Sequence, residues 1–294
     1  MNLAKLSLHY ADTLEHQLQR VKYSLRRNGF SHAGEERILN KHIANLLPPT
    51  HCRTAVDIGA ANGIRWSNTY SLFLRGWKGV GIEADARKFP HLERAYRNLP
   101  NVTACHQVAE PHNIISLLRA FDIEENFSVL SLDIDGNDYW LLKTILSEFR
   151  PHLIVTEINE KIPPPLRFVV KYKPNAAQLR HHFYGYSIAL LEDLCEEFDY
   201  GVLELEYENA FIAPHELRNA RFVTAEEAYV TGYLNRVDRK ERFPANFDME
   251  VLQSLSVAEG IEFLRNFYAK QEGEYFLTSN RESLIREMLG SSPK

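Results

Sequence analysis

The stretch TAVDIGAANG, at residues 54–63, carries a short apolar run into Asp57 and then into two glycines. That order is typical of a buried strand that turns directly into a helix. Gly59 and Gly63 would let the backbone of this turn approach a ligand closely. A dinucleotide-binding turn would read G-x-G-x-x-G and would point its helix at a pyrophosphate, beside which a carboxylate is unfavourable. The aspartate at the strand end favours a ligand with positive charge instead.

In a second stretch, GVGIEAD at residues 79–85, another apolar run ends at Glu83. A carboxylate at the end of the second strand of a doubly wound sheet can accept hydrogen bonds from both hydroxyls of a ribose. S-adenosylmethionine combines a ribose with an ammonium and a sulfonium group, so it suits both acidic positions. The two motifs together therefore predict an S-adenosylmethionine site that includes Asp57, Gly59, Gly63 and Glu83. The alternative is a tight turn followed by a helix-capping acid.

From residue 53 onward, short apolar runs alternate with helical stretches, which is the pattern of βαβ units and a parallel sheet. Predicted strands lie near residues 53–58, 78–82, 101–106, 127–133, 151–158, 200–205 and 207–213. Predicted helices lie at residues 65–76, 85–98, 111–121, 137–149 and 186–198. The last two strands are joined tightly through Glu206, which predicts a hairpin and an antiparallel edge. The predicted fold class is α/β, a Rossmann-like doubly wound and mostly parallel sheet with a terminal antiparallel hairpin.

Charge and composition restrict the kind of partner. The chain of 294 residues has a net charge of -5 and no block of Lys or Arg, so no nucleic-acid groove is expected. The cysteines at 52, 105 and 195 lie far apart without metal-ligand spacing and are expected to be buried thiols. No apolar run approaches the roughly 20 residues of a membrane span, and the first 25 residues are too polar for a signal peptide. We expect a cytoplasmic protein that acts on a small molecule.

Both motifs, together with LSLDIDGNDYWLLKTI, LIVTEIN, YGYSIALLEDL and ENAFIAP, resemble the class I S-adenosylmethionine-dependent methyltransferases, and within them the FkbM-type family. The resemblance covers roughly residues 53–214. It implies a Rossmann-like sheet and an enzyme that moves a methyl group, usually onto a hydroxyl of a sugar or a related metabolite. It also implies cofactor contacts at Ala60, Asn62, Ala109 and Asp133.

The chain is predicted to have three parts, of which the resemblance covers the middle one. A helical extension covers residues 1–50, the S-adenosylmethionine-binding methyltransferase domain covers residues 51–214, and a second helical extension covers residues 215–294. The first helix, over residues 3–25, is amphipathic. Its apolar stripe is expected to pack on the body of the protein, to form a homo-oligomer interface, or to lie on a membrane surface. A second helix is expected from Ala33 to Leu47, stopped by the prolines that follow.

The stretch VLSLDIDGNDYW, at residues 129–140, gathers acidic side chains where the fourth predicted strand ends. The strand ends of an open parallel sheet converge on the ligand, so we expect Asp133 and Asp135 to face Glu157 and Asn159 at the end of the fifth strand. Here the sequence departs from the FkbM-type pattern, which usually reads acid-x-Glu-Gly, because it has the shorter Asp135 before the glycine.

Three interpretations of this acidic stretch stay open. Asp133, Glu157 and Asn159 could hold Mg²⁺, which would bind the hydroxyls of the acceptor and lower the pKa of the attacking one. The carboxylates could instead bond the cofactor and the acceptor directly, with Asp133 or Asp135 as the general base. In the third interpretation, Asp135 and Asp138 only cap the following helix.

His181 and His182 are further candidates for the general base, because an unperturbed histidine titrates near neutrality; we choose His182. The prolines at residues 163–165 exclude a helix and predict a lid or a substrate-selecting loop. The bases of this segment could face an anionic acceptor or water: Lys161, Arg167, Lys171 and Lys173.

Two rival functions use the same architecture. A non-catalytic cofactor-binding or scaffold protein could keep the fold and the acidic residues. An NAD-dependent oxidoreductase would require more glycine than the single one at residues 57–60.

Overall fold

The computed structural model describes residues 17–23, 25, 29–174 and 182–290. A sheet of seven strands in the order β3-β2-β1-β4-β5-β8-β7 forms the centre of the molecule. The pairs among β1 to β5 are parallel, whereas β8 is antiparallel to both β5 and β7. The strands are β1 (Thr54–Ile58), β2 (Lys78–Glu83), β3 (Val102–His106), β4 (Val129–Leu132), β5 (Leu153–Glu157), β6 (Arg167–Val170), β7 (Tyr200–Glu206), β8 (Asn209–Pro214) and β9 (Tyr275–Thr278). This order confirms the predicted doubly wound sheet and its antiparallel hairpin.

Helices cover both faces of the sheet. They are α1 (Glu35–Leu46), α2 (Tyr70–Leu74), α3 (Phe89–Tyr96), α4 (Ile114–Ala120), α5 (Asp138–Leu146), α6 (Ile188–Glu197), α7 (Ala225–Tyr229), α8 (Arg239–Arg242), α9 (Val257–Phe267) and α10 (Arg281–Gly290). A π-helical turn (Val230–Leu234) continues α7, and 3₁₀ turns occupy Pro244–Asp248, Glu250–Ser254 and Ala269–Gln271.

Alternation along the strands assigns side chains to the two faces. Val56 and Ile58 of β1 belong to a core cluster with α4, α5 and α6, whereas Ala55 belongs to a second cluster with α1, α2 and α3. Leu130 and Val129 of β4 divide in the same way. Successive side chains of a strand point to opposite faces, so a sheet with helices on both sides needs continuous apolar strands. This requirement explains the uninterrupted apolar runs in the sequence.

A third core cluster joins the chain beyond residue 214 to the segment after β5. There β6 pairs antiparallel with β9, in a separate two-stranded sheet. Phe168 of β6 is fully buried in this cluster with Leu264 of α9 and Leu277 of β9. The C-terminal part is mostly helical, as expected, but it also contains strand β9, and the proline-rich segment leads into strand β6. The domain boundaries at residues 50 and 214 stay a prediction.

The predicted helix at 65–76 is much shorter than expected, since α2 begins only at Tyr70. The residues before it form a loop in which the hydroxyl groups of Ser67 and Thr69 donate hydrogen bonds to Asp57. Thr224 caps α7, because its side chain accepts from the backbone N–H of Glu227. Helix α10 begins at Arg281, and the side-chain oxygen of Asn280 accepts from the backbone N–H of Ser283.

Several smaller expectations concern the N-terminal part and the cysteines. Residues 17–23 are helical, as predicted, and Val21 is exposed while Tyr23 is buried; the other residues of the predicted first helix lie outside the described part, except Leu25. An oligomeric role for this helix stays a prediction. Cys105 and Cys195 are buried, but Cys52 is only half-buried. Within the described ranges, the structure contains no helix that combines the length and the apolar character needed to cross a membrane.

Candidate active site

The turn after β1 is locked against the loop after β4. Gly59 has a φ of 87°, in the left-handed region, and a Cβ atom placed on it would lie 1.6 Å from the carbonyl oxygen of Asp133. The backbone N–H of Asp133 donates to the carbonyl of Ile58 at 3.0 Å. Only glycine allows this approach, because any side chain would occupy the space of the carbonyl. The glycine turn and Asp133 are thus held side by side at the carboxyl end of the sheet.

Asp57 holds the loop that precedes α2. Its Oδ2 atom accepts hydrogen bonds from the hydroxyls of Ser67 at 3.2 Å and Thr69 at 2.6 Å, and only 4% of the residue is exposed. Burial raises the pKa of this carboxyl to about 6, although the hydroxyl bonds act in the opposite direction. The loop is non-helical because its hydroxyl groups donate hydrogen bonds to the Asp57 carboxylate. Direct contact of Asp57 with a cofactor stays a prediction.

Glu83 ends β2 and organises the turns around it. Its two carboxylate oxygens accept from the backbone N–H groups of Ala61 at 2.7 Å and Asp85 at 2.6 Å. A carboxylate oxygen has two acceptor positions, so each oxygen retains one for a ribose hydroxyl. Asn62 uses its side-chain oxygen within the same turn, where it accepts from the N–H groups of Ile64 and Arg65.

The remaining predicted cofactor residues lie on the same rim. Gly63 is buried with a φ of 75°, and its backbone N–H donates to the carbonyl of Ala60. Ala60 is also buried and donates its own N–H to the carbonyl of Ile82. Ala109 is buried in the loop after β3. Their contacts with a cofactor stay predictions, but every one lies near the carboxyl end of β1, β2 or β3.

Three carboxylates meet where β4 and β5 end. Each of Asp133, Asp135 and Glu157 offers one oxygen, and these oxygens lie within 4.8 Å of one another. Asp135 adopts a φ of 56°, an unusual backbone conformation for a residue other than glycine, which directs the chain around the turn. The sequence prediction that Asp133 and Asp135 would face Glu157 is confirmed. We call Asp133, Asp135 and Glu157 the acidic trio.

The neighbouring Asp138 supports the loop that carries the trio. Its carboxylate accepts from the backbone N–H groups of Ile134 and Gly136, both at 2.8 Å. Asp138 is the first residue of α5 and is almost fully buried, and burial raises its pKa to about 6. Asp138 therefore braces the loop before α5, and it does not cap the helix in the way that the third interpretation expected. Asp135, by contrast, belongs to the acidic trio.

Two members of the acidic trio, Asp133 and Glu157, hold their protons at higher pH than an ordinary carboxyl group does. Burial by the surrounding protein, followed by the charges of neighbouring carboxylates, holds the pKa values of Asp133 and Glu157 well above their ordinary range. The Asp133 side chain is nevertheless exposed to solvent. Both observations fit a group on the floor of a cleft, open to water on one side and surrounded by protein on the others.

A cavity of about 220 Å³ adjoins the trio through Glu157. Its lining residues are Glu157, Glu160, Lys161, His182, Tyr184, Glu208, Phe243, Ala245 and Asn246. The lining comes from the segment after β5, from the β7–β8 turn and from the segment around the 3₁₀ turn Pro244–Asp248. Carboxylates outnumber cations in this lining, so the cavity suits groups that donate hydrogen bonds.

A buried polar network forms one wall of the cavity. Lys161 Nζ lies 3.0 Å from both carboxylate oxygens of Glu160 and donates to the hydroxyl of Tyr184 at 2.6 Å. Asn246 donates to Glu160 Oε1 at 2.7 Å. Burial alone would raise the pKa of Glu160, but Lys161 and these hydrogen bonds hold it below its ordinary value. A buried ion pair with all its partners fixes the wall in one arrangement.

His182 lines the cavity, as its predicted role requires. It is only 3% exposed, and its Nε2 atom lies 2.9 Å from Asp248 Oδ1. Since a carboxylate beside one ring nitrogen fixes the proton distribution of an imidazole, Asp248 orients this histidine. His181, the other candidate base, lies outside the described residues.

Asn159 has a structural role, and its predicted role as a metal ligand stays a prediction. It is fully buried, and its side-chain nitrogen donates to the carbonyls of His182 at 2.9 Å and Tyr184 at 3.0 Å. Strand β5 ends at Glu157, so the two-residue alternation on which the prediction relied does not extend to this residue. Asn159 therefore anchors the segment that carries His182.

The bases expected to meet an anionic acceptor have partners inside the protein. Lys161 is bound to Glu160, Arg167 pairs with Asp193 at 2.6 Å, Lys173 pairs with Glu274 at 2.7 Å, and Lys171 lies over the ring of Phe276. No motif in the sequence indicated that Glu160, Glu208 and Asn246 would line the same cavity. Only the polar run NEK at residues 159–161 indicated that the turn after β5 has a function besides connecting two elements.

No protein-family model matches the sequence, and no curated protein matches it either. Among solved structures, the chain is similar to fibrillarin in a fibrillarin/Nop5p complex, with 18% identity, 63% of this chain and 80% of that one covered, and a TM-score of 0.40.

Two further similar structures are an O-methyltransferase from Bacillus cereus in complex with SAH and the N-terminal domain of EvdMO1 in the presence of SAH and D-fucose. The first has 15% identity, covers 69% of this chain and 90% of that chain, and has a TM-score of 0.38. The second has 14% identity, covers 63% of this chain and 82% of that chain, and also has a TM-score of 0.38. The fold assignment rests on the strand order and register described above.

Proposed function

We propose that the chain is an S-adenosylmethionine-dependent methyltransferase that methylates a hydroxyl of a small metabolite, most simply a sugar. The support comes from the rim of the sheet. A glycine turn, a carboxylate that ends β2 and a carboxylate after β4 lie in the order that a doubly wound sheet uses for a nucleoside ligand. The residues present suit this cofactor, because Glu83 retains acceptor positions for the ribose and acidic groups face the cationic end.

The observation that carries the proposal is the continuity between this rim and the cavity. Asp133 touches the Gly59 turn on one side, and on the other it belongs to the acidic trio with Glu157. Glu157 in turn lines the cavity. A donor bound at the turn and an acceptor bound in the cavity would thus meet at the trio.

The chemistry needs a fixed approach and a place for one proton. S-adenosylmethionine, when bound, supplies a methyl group on a sulfonium that leaves in line with the attacking oxygen. The chain itself must hold the acceptor hydroxyl in line, and this is the task of the cavity beside Glu157. A carboxylate with a raised pKa is a better proton acceptor near neutral pH than an ordinary one, so Asp133 and Glu157 are suited to take the hydroxyl proton. His182 is the alternative acceptor.

A divalent ion is the second way in which the acidic trio could act. Three carboxylate oxygens within 4.8 Å of one another suit Mg²⁺, which would bind the acceptor hydroxyl and favour its ionised form. Asp133, Asp135 and Glu157 would hold it, with Asp135 in the place that the sequence prediction gave to Asn159. Chelation decides between the mechanisms, because the direct one is insensitive to it.

The proposed test is methyl transfer from labelled S-adenosylmethionine to a panel of sugars and sugar nucleotides. Asp133→Asn keeps the shape and removes the charge, so we expect transfer to fall by roughly 10²-fold with the fold intact. Asp122→Asn is the matched control, since Asp122 is also an exposed aspartate but lies beyond α4, outside the acidic trio. Equal transfer by the parent and Asp133→Asn would remove Asp133 from the reaction. Cofactor binding without transfer to any acceptor would favour the non-catalytic alternative.

A further inference from the structure

A second cluster of ionisable groups lies where the segment before α1 meets the β7–β8 turn. His32, Glu35 and Glu208 each offer one ligand atom, and these atoms lie within 4.8 Å of one another. His32 and Glu35 are three residues apart, whereas Glu208 lies far from them in the sequence. Glu208 also lines the acceptor cavity, but none of the three has a role in the proton transfer proposed above.

The donor atoms are already close to the spacing that an ion requires. His32 Nδ1 lies 2.8 Å from Glu208 Oε1. Two ligands, each about 2.1 Å from a metal ion, lie about 3 Å apart at a right angle and about 3.4 Å apart at a tetrahedral angle. An ion can therefore replace the proton between these two atoms with little movement of either side chain.

Hydrogen bonds from the surrounding protein hold the carboxylate of Glu35 in place, as they do for many metal-binding carboxylates. Its Oε2 atom accepts from the backbone N–H groups of Ala33 at 2.7 Å and Gly34 at 2.8 Å. Its Oε1 atom accepts from Asn209 at 3.0 Å, which leaves that oxygen one acceptor position. Hydrogen bonds of this kind orient the carboxylates and imidazoles that bind metals.

Glu208 provides an independent indication that something is bound. The residue is 8% exposed, and its Oε2 atom is buried without a hydrogen-bond partner among the described residues. Glu35 is completely buried. Two buried carboxylates beside one histidine leave an excess of negative charge that is costly in a protein interior. A divalent cation beside a neutral imidazole would balance both carboxylates.

We propose that His32, Glu35 and Glu208 form a binding site for a divalent first-row transition-metal ion such as Zn²⁺. One imidazole nitrogen and two carboxylate oxygens form a donor set that suits Zn²⁺, Co²⁺ or Mn²⁺ better than the all-oxygen acidic trio does. The His32 side chain is 40% exposed, which gives the ion an entry path.

The metal site would affect the acceptor cavity through one shared residue. Glu208 belongs to both, because it lines the cavity beside Glu157 and Glu160. A bound ion would fasten the segment around His32 to the β7–β8 turn and would fix the position of Glu208 in the cavity wall. The ion would thus order the acceptor pocket without taking part in the proton transfer.

The experiment uses the full chain, freed of metal by dialysis against chelator and titrated with Co²⁺ and Zn²⁺ by visible absorption and calorimetry. We expect one equivalent to bind and the melting temperature to rise. His32→Ala and Glu208→Gln should each weaken binding at least 10-fold, the scale for losing a metal-binding group. Glu208→Gln preserves the shape of the side chain, so its folding is not in question.

Two controls separate this site from other ion sites. Asp133→Asn removes the acidic trio, and His215→Ala removes a histidine on the surface that pairs with Asp199; both should bind Co²⁺ like the parent. Loss of binding in Asp133→Asn with retention in His32→Ala would place the ion at the trio and overturn the proposal. Failure of the parent to bind one equivalent would overturn it as well. Neither result depends on cofactor binding or methyl transfer.

Discussion

Replacing Gly59 by alanine tests how tightly the cofactor turn is joined to the loop after β4. The added Cβ would lie 1.6 Å from the carbonyl oxygen of Asp133, a backbone atom that cannot rotate away. The structure also supplies a matched control, because Gly76 has nearly the same backbone angle, with a φ of 85° against 87°, and nothing within 4 Å of its added Cβ. The two substitutions therefore share the cost of a left-handed alanine and differ only in the collision.

The expected magnitudes follow from these contacts. A left-handed alanine costs about 1 kcal/mol, which should be the whole effect at Gly76. At Gly59, the turn and the loop must also separate by roughly 1.5 Å to restore van der Waals distance. Such overpacking costs about 1–3 kcal/mol, and losing the hydrogen bond from Asp133 to Ile58 adds about 1 kcal/mol. We expect Gly59→Ala to reduce the free energy of unfolding by about 3–5 kcal/mol.

Urea unfolding and calorimetric titration with S-adenosylmethionine measure the two consequences separately. A displacement on the order of 1 Å at a binding turn can cost about 10²-fold, so Gly59→Ala should bind the cofactor 10- to 100-fold more weakly than Gly76→Ala. Equal stability of the two variants would refute the collision argument. If Gly59→Ala is destabilised but binds with the affinity of the parent, the turn is structural and the cofactor lies elsewhere.

Three further predictions concern buried carboxylates. Glu83→Ala should weaken cofactor binding by about 2–4 kcal/mol, since two charge-assisted bonds to the ribose are lost; calorimetry that shows unchanged affinity would remove Glu83 from the site. Asp57 holds its proton up to about pH 6 in the folded state, against an ordinary pKa of 3.8, so the unfolded state binds fewer protons between these values. The parent should therefore lose about 2 kcal/mol of stability from this group as the pH rises from 4 to 7, and Asp57→Asn should lack that loss in urea titrations at several pH values. Lys161→Met leaves Glu160 buried without its cation and should cost about 3–5 kcal/mol, whereas the double variant with Glu160→Gln should recover most of it; the absence of recovery would show that Lys161 acts by another contact.

The sheet was predictable from the sequence because its signals are local. An apolar run that ends in Asp57, and another that ends in Glu83, each contain their strand and their turn within ten residues. Parallel strands that are buried on both faces must be continuously apolar, and this pattern is easy to recognise. The acidic trio was predictable for the same reason, since Asp133 and Glu157 directly follow or end such strands.

Long-range pairing explains what the sequence did not show. Strand β6 was missed because its partner β9 lies more than a hundred residues away, and alone it resembled a proline-rich loop. Helix α2 is short because Ser67 and Thr69 donate to Asp57, and no local pattern shows that a hydroxyl has such a partner. The cluster of His32 and Glu208 depends on the same kind of distant contact.

The most direct test of the central claim is a calorimetric titration of the full chain with S-adenosylmethionine and, in parallel, with NAD. The account predicts saturable one-to-one binding of S-adenosylmethionine, at least 10-fold weaker binding by Gly59→Ala, and no binding of NAD. Saturable binding of NAD, or the absence of S-adenosylmethionine binding by the folded parent protein, would contradict it.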